Sequence, residues 1–241
     1  MAVPPMLFDI LCRVARDQGG GRACAAGYPD LLVPPQQLSA LLGEERAARI
    51  PVREDSMKIT AWHGVGKVLD RIFESRNVFR ELGYQLDVID IHPARGDEII
   101  VDLNLPLPAN LENSYDLVLD TGTCEHCFNI GQAAVNLASL VRKGGYLIQA
   151  MPLNVFNHGF YNVNPTWFHD FYPVNGFRVE FLKGVANIVW DPQVFDLAPY
   201  DRFNEAPQNS MMIAVVKRET LVAPLKFPVQ HKYAVNPGLA G

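Results

Sequence analysis

The stretch that decides the fold is YQLDVIDIHPARGDEIIVDLNLPLPANLENSYDLVLDTGTCEHCFN (84–129) with LVRKGGYLIQAMP (140–152). Within it, LDVIDI (86–91), EIIVDL (98–103), YDLVLD (115–120) and YLIQAM (146–151) are short apolar or β-branched runs. Pro, Gly, Asn and Asp bound them, which is the pattern of buried strands. Ahead of the last run, Ile130, Ala133, Ala134, Leu137, Leu140 and Val141 recur at helical spacing, and Lys143 and Gly144 fit that helix's C-terminus. Strands alternating with helices imply right-handed crossovers and a mostly parallel sheet covered on both faces.

Outward from this core, residues 4–17 predict a helix with Met6, Leu7, Ile10, Leu11 and Val14 on one face, stopped by Gly19, Gly20 and Gly21. The small-residue run RACAAGYPDLLVP that follows reads as a buried strand ending at Gly27. Residues 36–48 predict a surface helix, while 50–62 are ambiguous. Val65, Val68, Leu69, Ile72, Phe73, Phe79 and Leu82 predict a second helix, stopped by Gly83. Towards the C-terminus, RVEFLKGV (178–185) and NSMMIAVVKRE (209–219) predict an antiparallel hairpin closing one sheet edge. Beyond Ala223 the chain is Pro-spaced and expected to lie on the surface.

The bulk numbers describe an ordinary globular chain. It has 241 residues, 49% of them hydrophobic and 20% charged, with a net charge of −5. Without a Lys/Arg stripe, a nucleic-acid partner is not expected. The opening residues lack the apolar run of a signal peptide, and no window approaches the ~20 apolar residues of a membrane span. Four cysteines (Cys12, Cys24, Cys124 and Cys127) are too few to staple the chain. A reduced, cytoplasmic setting with no membrane partner is the expectation.

Four places carry residues able to do chemistry. Asp90 closes LDVIDI, where an acid in a nucleotide-binding α/β sheet accepts hydrogen bonds from a ribose diol. The bland alternative is a loop cap or an ion pair with Arg95. Asp102 closes the next run, and its carboxylate with the Leu103 N–H suits an adenine edge; an Asx turn is the alternative. In DTGTCEHCFN (120–129), Asp120, Thr121, Gly122 and Thr123 follow a strand and open a helix, with Glu125 and His126 in its first turn. His126 is a candidate general base, because its ordinary pKa lies near neutrality. Cys124, His126 and Cys127 also invite a zinc reading. A closed site needs four ligands and no second CxxC or HxxxH exists, so no metal is expected. Finally, MPLNVFNHGFYNVNPTWFHDFYPVNGF (151–177) brings Phe156, Phe160, Tyr161, Trp167, Phe168, Phe171, Tyr172 and Phe177 together with His158 and His169. It follows a strand tip, so it suits a substrate wall or lid, with some rings packing a helix instead.

Taken together, LDVIDI, VDLNLPLP, YDLVLDTGTCEHCFN, LVRKGGYLIQAMP and the closing hairpin resemble class I S-adenosylmethionine-dependent methyltransferases over residues 84–219. The resemblance implies a doubly wound, mostly parallel seven-stranded α/β sheet with an antiparallel C-terminal hairpin, in a single domain over residues 1–223. It implies S-adenosyl-L-methionine as cofactor, with Asp90 and Ile91 at the ribose and Asp102 and Leu103 at the adenine. Asp120, Thr121 and Gly122 would line the cleft. By the same resemblance, the segment holding His158, Tyr161, Trp167 and His169 belongs with substrate-side loops for small molecules or glycans, and Glu125 joins it. His126 and His158 are the candidate bases, and Tyr161 is the candidate aromatic face for the sulfonium.

One departure stands out, because the family's first strand normally ends in a glycine-rich turn and no GxGxG occurs here. Either AAGYPD (25–30), through Gly27, or WHGVGK (62–67), through Gly64 and Gly66, replaces it. The first choice leaves residues 31–67 as an insertion carrying His63 and residues 224–241 as a tail. The same departure motivates a rival reading, a methyltransferase-like fold serving only as a binding or scaffold subunit. The oligomeric state and the methyl acceptor are not encoded in any motif.

Overall fold

A computed structural model describes residues 1–189 and 191–236. The fold is mixed α/β, with a mostly parallel sheet and an antiparallel C-terminal hairpin, as the alternation of patterns predicts. The chain divides into two compact units, residues 1–101 and 102–241.

The first unit holds β1 (Ala2–Val3), α1 (Pro5–Gln18), β2 (Gly21–Ala26), β3 (Asp30–Leu31) and α2 (Pro35–Leu42). It continues through α3 (Glu44–Ala47), α4 (Ser56–Trp62), α5 (Ser75–Glu81), β4 (Tyr84–Asp90) and β5 (Ile99–Ile100). Pro5 opens α1 with a preset φ, and Gly19 closes it in the left-handed region at φ 79°. Leu7, Phe8, Leu11 and Val14 form its buried face. The small residues of β2 are buried from Ala23 to Ala26, and β2 pairs in parallel with β4, which pairs in parallel with β5.

Three expectations change here. The surface helix over 36–48 breaks at Gly43, whose φ of 88° no helix tolerates, into α2 and α3. The helix expected over 65–82 shrinks to α5. Val65, Leu69, Ile72 and Phe73 are buried as their spacing demands, yet Phe73 bridges to Leu31 and Val52. Ile72 exchanges hydrogen bonds with Ser56 and accepts one from the Arg53 N–H. Tertiary pairing of an extended segment thus overrides helical periodicity. Finally, EIIVDL forms only a two-residue strand.

The second unit holds β6 (Tyr115–Thr121), α6 (Ile130–Leu140), β7 (Val141–Asn154), α7 (Pro165–Val174) and β8 (Phe177–Ala186). It ends with β9 (Gln193–Phe195), β10 (Ser210–Arg218) and the short α8 (His231–Val235), and a one-turn 3₁₀ segment spans Cys124–His126. β6 and β7 are parallel, with Asp120 opposite Gln149 and Thr121 opposite Ala150. β10 lies antiparallel between β7 and β8, so the hairpin strands are β8 and β10, and β9 adds an edge. Among the described residues β1 and β3 pair in a separate two-stranded sheet; the remaining sheet strands number three in the first unit and five in the second, one more than the seven expected, β9 being the addition.

Helix α6 stops at Leu140, not at Lys143–Gly144, because Val141 enters β7 directly. The buried Arg218 guanidinium donates to the carbonyls of Ala138 at 3.1 Å and Val141 at 2.7 Å, satisfying that helix end. The tail expected over 224–241 carries exposed Phe227 and Val229, and the ring of Phe227 lies over Gly131; residues 237–241 of it lie outside the described residues. All four cysteines are thiols and buried: Cys12 and Cys24 in the first unit, Cys124 and Cys127 in the second.

Candidate active site

In the first unit, β2 delivers its C-terminal end to Gly27, which takes φ 86° and donates its N–H to the Ile89 carbonyl at 2.8 Å. Register pairs Ala26 with Ile89, so the Gly27 turn lies beside Asp90 at the tip of β4. Gly64 and Gly66 follow helix α4, not a strand. The Asp90 side chain is partly exposed and accepts the His92 N–H at 3.2 Å. Arg95, its alternative partner, turns to Glu74 at 3.6 Å and Asp55 at 4.0 Å, while Ile91 is exposed.

The residue after Gly27 is a surprise of the structure. The Tyr28 ring lies under the Arg95 guanidinium at 3.7 Å, with Arg53 and Arg76 also over it, and its hydroxyl bonds to Glu74. Burial and that hydrogen bond push its phenol above the ordinary range. Next to it Asp30 accepts from Arg53 at 2.6 Å and pairs with His63 at 3.0 Å, so His63 is tied down within this unit. Burial would raise the Asp30 carboxyl. The His63 hydrogen bond, the chain's amino terminus and Arg53 outweigh it and hold the group low.

In the second unit, Asp102 forms the Asx turn, accepting the backbone and side-chain N–H groups of Asn104 at 2.9 and 2.8 Å. Those bonds hold its carboxyl below the usual range. Leu103 is buried, its carbonyl accepting from Asn136 at 2.9 Å. Asp120, at the end of β6, is fully buried. One of its oxygens accepts the N–H groups of Thr123 at 3.0 Å and Cys124 at 3.4 Å; the other accepts from Gln149 at 2.9 Å. The Tyr172 hydroxyl donates to Gln149 at 2.6 Å, completing a buried chain of three side chains. Burial raises the Asp120 carboxyl despite these bonds. This network fixes the turn through buried Thr121 and Gly122, the latter at φ 106°, that aims the next residues.

The turn aims Glu125. Its side chain is 0% exposed, and neither carboxylate oxygen has a hydrogen-bond partner. His158 Nε2 stands 3.3 Å from Oε1 and His126 Nε2 3.9 Å, within ion-pair reach but outside hydrogen-bond geometry. The two imidazoles are nearly half exposed, with ring centres 5.1 Å apart. Burial, aided by the Asp120 charge, pushes the Glu125 carboxyl up to about 8. Burial and His158 push the His126 imidazole down. The loop carrying His158 is clamped to Glu125: the Phe160 N–H donates to the Glu125 carbonyl at 2.9 Å. A Cβ on Gly159 would come 2.9 Å from Glu125 Cγ, so only glycine fits that approach.

Other candidates separate. Tyr161 bonds to the Phe128 carbonyl at 2.7 Å and, with Trp167, Phe171 and Phe227, lines a cavity of about 510 Å³. The Trp167 Nε1 is buried there without a partner. His169 instead packs on Tyr200. Cys124 and Cys127 direct their sulfurs at the carbonyls of Ile130 and Thr123, and burial raises both thiols. They stand outside the Glu125, His126 and His158 grouping. Sequence reasoning passed over Gln149, although a glutamine inside the apolar run YLIQAM was a signal that a polar partner sits opposite.

No protein-family model and no curated protein matches the chain. Among solved structures it is similar to the T. thermophilus 16S rRNA N2 methyltransferase RsmC with AdoMet and guanosine, at 15% identity and TM-score 0.35 over 60% of this chain and 32% of that one. The chain thus spans about a third of that protein's length. It is also similar to the trans-methyltransferase CalH in complex with SAH, at 11% identity and TM-score 0.41 over 87% of this chain and 54% of that one. A third likeness is a 16S rRNA adenine-N1 methyltransferase of Catenulisporales acidiphilia, at 9% identity and TM-score 0.38 over 87% and 94% of the two chains. The substrates named are those proteins' own.

Proposed function

We propose that the chain is an S-adenosylmethionine-dependent methyltransferase acting on an oxygen or nitrogen of a small molecule or glycan. One observation carries the reading. A left-handed glycine turn after β2 stands in register beside Asp90, a strand-tip carboxylate held by one backbone N–H and unpaired with Arg95. In parallel α/β sheets nucleotides bind outside strand C-termini, and an acid at this point takes the ribose hydroxyls. Held beside Asp90, the cofactor would supply a methyl group activated by a sulfonium, with the thioether as leaving group. Asp90 orients the nucleoside. His126, whose imidazole burial and His158 push towards the neutral form, takes the acceptor's proton, and His158 stands beside it. The apolar cavity lined by Tyr161 and Trp167 suits an acceptor with a flat or weakly polar face.

Tyr28, where the family pattern has further glycine, favours the rival reading of a scaffold subunit. Calorimetric titration with S-adenosylmethionine separates the two. Micromolar binding, weakened roughly tenfold or more by Asp90→Ala, supports the enzyme. An absence of heat at millimolar ligand leaves the scaffold.

A further inference from the structure

We propose that Glu125, His126 and His158 form a binding site for a divalent transition-metal cation with open coordination positions. The ligand atoms of the three side chains lie within 4.8 Å of one another. They come from two places in the chain, the turn after β6 and the loop after β7, and parallel pairing of those strands brings the two together.

Taking a charge out of water is costly unless a partner compensates it, and both Glu125 oxygens are fully buried without a hydrogen bond. Protonation removes the charge but leaves the acid's own O–H, like the other oxygen, without a hydrogen-bond partner in position. A cation between the carboxylate and the two imidazole nitrogens satisfies it. Two imidazoles and one carboxylate are the donors of open zinc and non-haem iron sites; magnesium and calcium prefer oxygen alone.

Two of the three donor separations are close to what an ion needs, and the third is within 4.8 Å. Donors sharing a tetrahedral ion at ~2.1 Å lie about 3.4 Å apart. The His158–Glu125 separation of 3.3 Å already meets that, and the His126–Glu125 separation of 3.9 Å is close. Both rings are nearly half exposed. Gly159 and the Phe160 N–H hold the His158 loop against the Glu125 backbone, so closure is built in. This ligand set differs from the cysteine-rich one that the CEHC spacing brings to mind, since Cys124 and Cys127 direct their sulfurs at carbonyls elsewhere. With the ion bound, an acceptor oxygen would take an open position and release its proton to solvent more easily; His126 and His158 would then be ligands, and the ion would replace His126 in the role of base.

The site is tested without cofactor or acceptor, so its failure is distinct from failure of methyl transfer. Chelator-treated full-length protein is titrated calorimetrically with Zn²⁺, with Mg²⁺ as comparison and Co²⁺ as absorption probe. We expect one Zn²⁺ per chain, at least a hundredfold tighter than Mg²⁺. Glu125→Gln, His126→Ala and His158→Ala should each weaken binding tenfold or more, and Cys127→Ser should leave it unchanged. The Co²⁺ spectrum should lack a thiolate charge-transfer band. Zinc binding unaffected by His158→Ala, a thiolate band, or no saturable zinc binding would each overturn the site. The exposed His158 keeps the test independent of folding, and circular dichroism of each variant checks the buried position.

Discussion

Replacing Gln149 with Leu and Tyr172 with Phe, singly and together, tests whether the buried chain Asp120–Gln149–Tyr172 acts as one unit. In Tyr172→Phe the ring keeps its packing on Phe168, Phe171 and Phe177, but the Gln149 carbonyl oxygen loses its donor. Leaving one buried acceptor unpaired costs about 1–3 kcal/mol. Gln149→Leu conserves volume yet strips a donor from the buried Asp120 carboxylate and the acceptor from the Tyr172 hydroxyl. Two orphans, one of them an acid, cost about 3–5 kcal/mol. In that background the second change removes a hydroxyl that is already stranded, so the double variant should be no worse than Gln149→Leu alone. The coupling is then about 1–3 kcal/mol, opposite in sign to the Tyr172→Phe penalty. Urea unfolding followed by circular dichroism measures it, with equal slopes required across the four proteins. Additivity within about 0.5 kcal/mol would show that the three side chains do not depend on one another. Because this chain fixes the turn that aims Glu125, the single variants should also weaken zinc binding; intact affinity in Gln149→Leu would break that link.

Two further outcomes follow from the packing around the site and the Tyr28 turn. Gly159→Ala forces a methyl to within 2.9 Å of Glu125 Cγ and of its carbonyl oxygen, so it should cost about 1–3 kcal/mol and loosen zinc binding; an unchanged melting temperature and affinity would refute the clamp. Asp30→Asn should destabilise by about 1–3 kcal/mol at pH 7, since it takes the carboxylate charge from the buried Arg53 and from His63. The folded Asp30 carboxyl is depressed, so its contribution is complete above the unfolded value near 3.9 and is lost as pH falls through the folded value. The gap between wild type and variant in thermal melts should therefore begin to narrow as pH falls below about 4 and keep narrowing towards the lower folded value; a gap that does not shrink at all on acidification below about pH 4 contradicts this.

The sheet was legible because its strands are apolar runs with abrupt ends: LDVIDI and YDLVLD fall within a residue or two of β4 and β6. The segment 65–82 misled because burial at helical intervals does not require a helix; Phe73 reached Leu31 and Val52, contacts no local pattern announces. Asp102 shows the converse, since its Asx turn is a purely local event that Asn104 two positions later foretells. At the site, Glu125, His126 and His158 were all singled out, but not their convergence. His158 lies far along the chain, and only the parallel pairing of β6 with β7 joins the two turns. Gly27 was legible as a turn, whereas the guanidiniums over Tyr28 come from the separated positions Arg53, Arg76 and Arg95 and left no mark in sequence.

The placement of the cysteines gives the molecule an internal clock. Each thiol is sealed from solvent, and burial keeps Cys12, Cys124 and Cys127 in the unreactive protonated state. An alkylating reagent can therefore mark them only while the surrounding structure is open, and mass tags on separate peptides time that opening position by position. Cys12 and Cys24 report on residues 1–101, and Cys124 and Cys127 on the turn that presents Glu125. A ligand that slows tagging at one pair and spares the other reveals where it binds, with no label added to the chain.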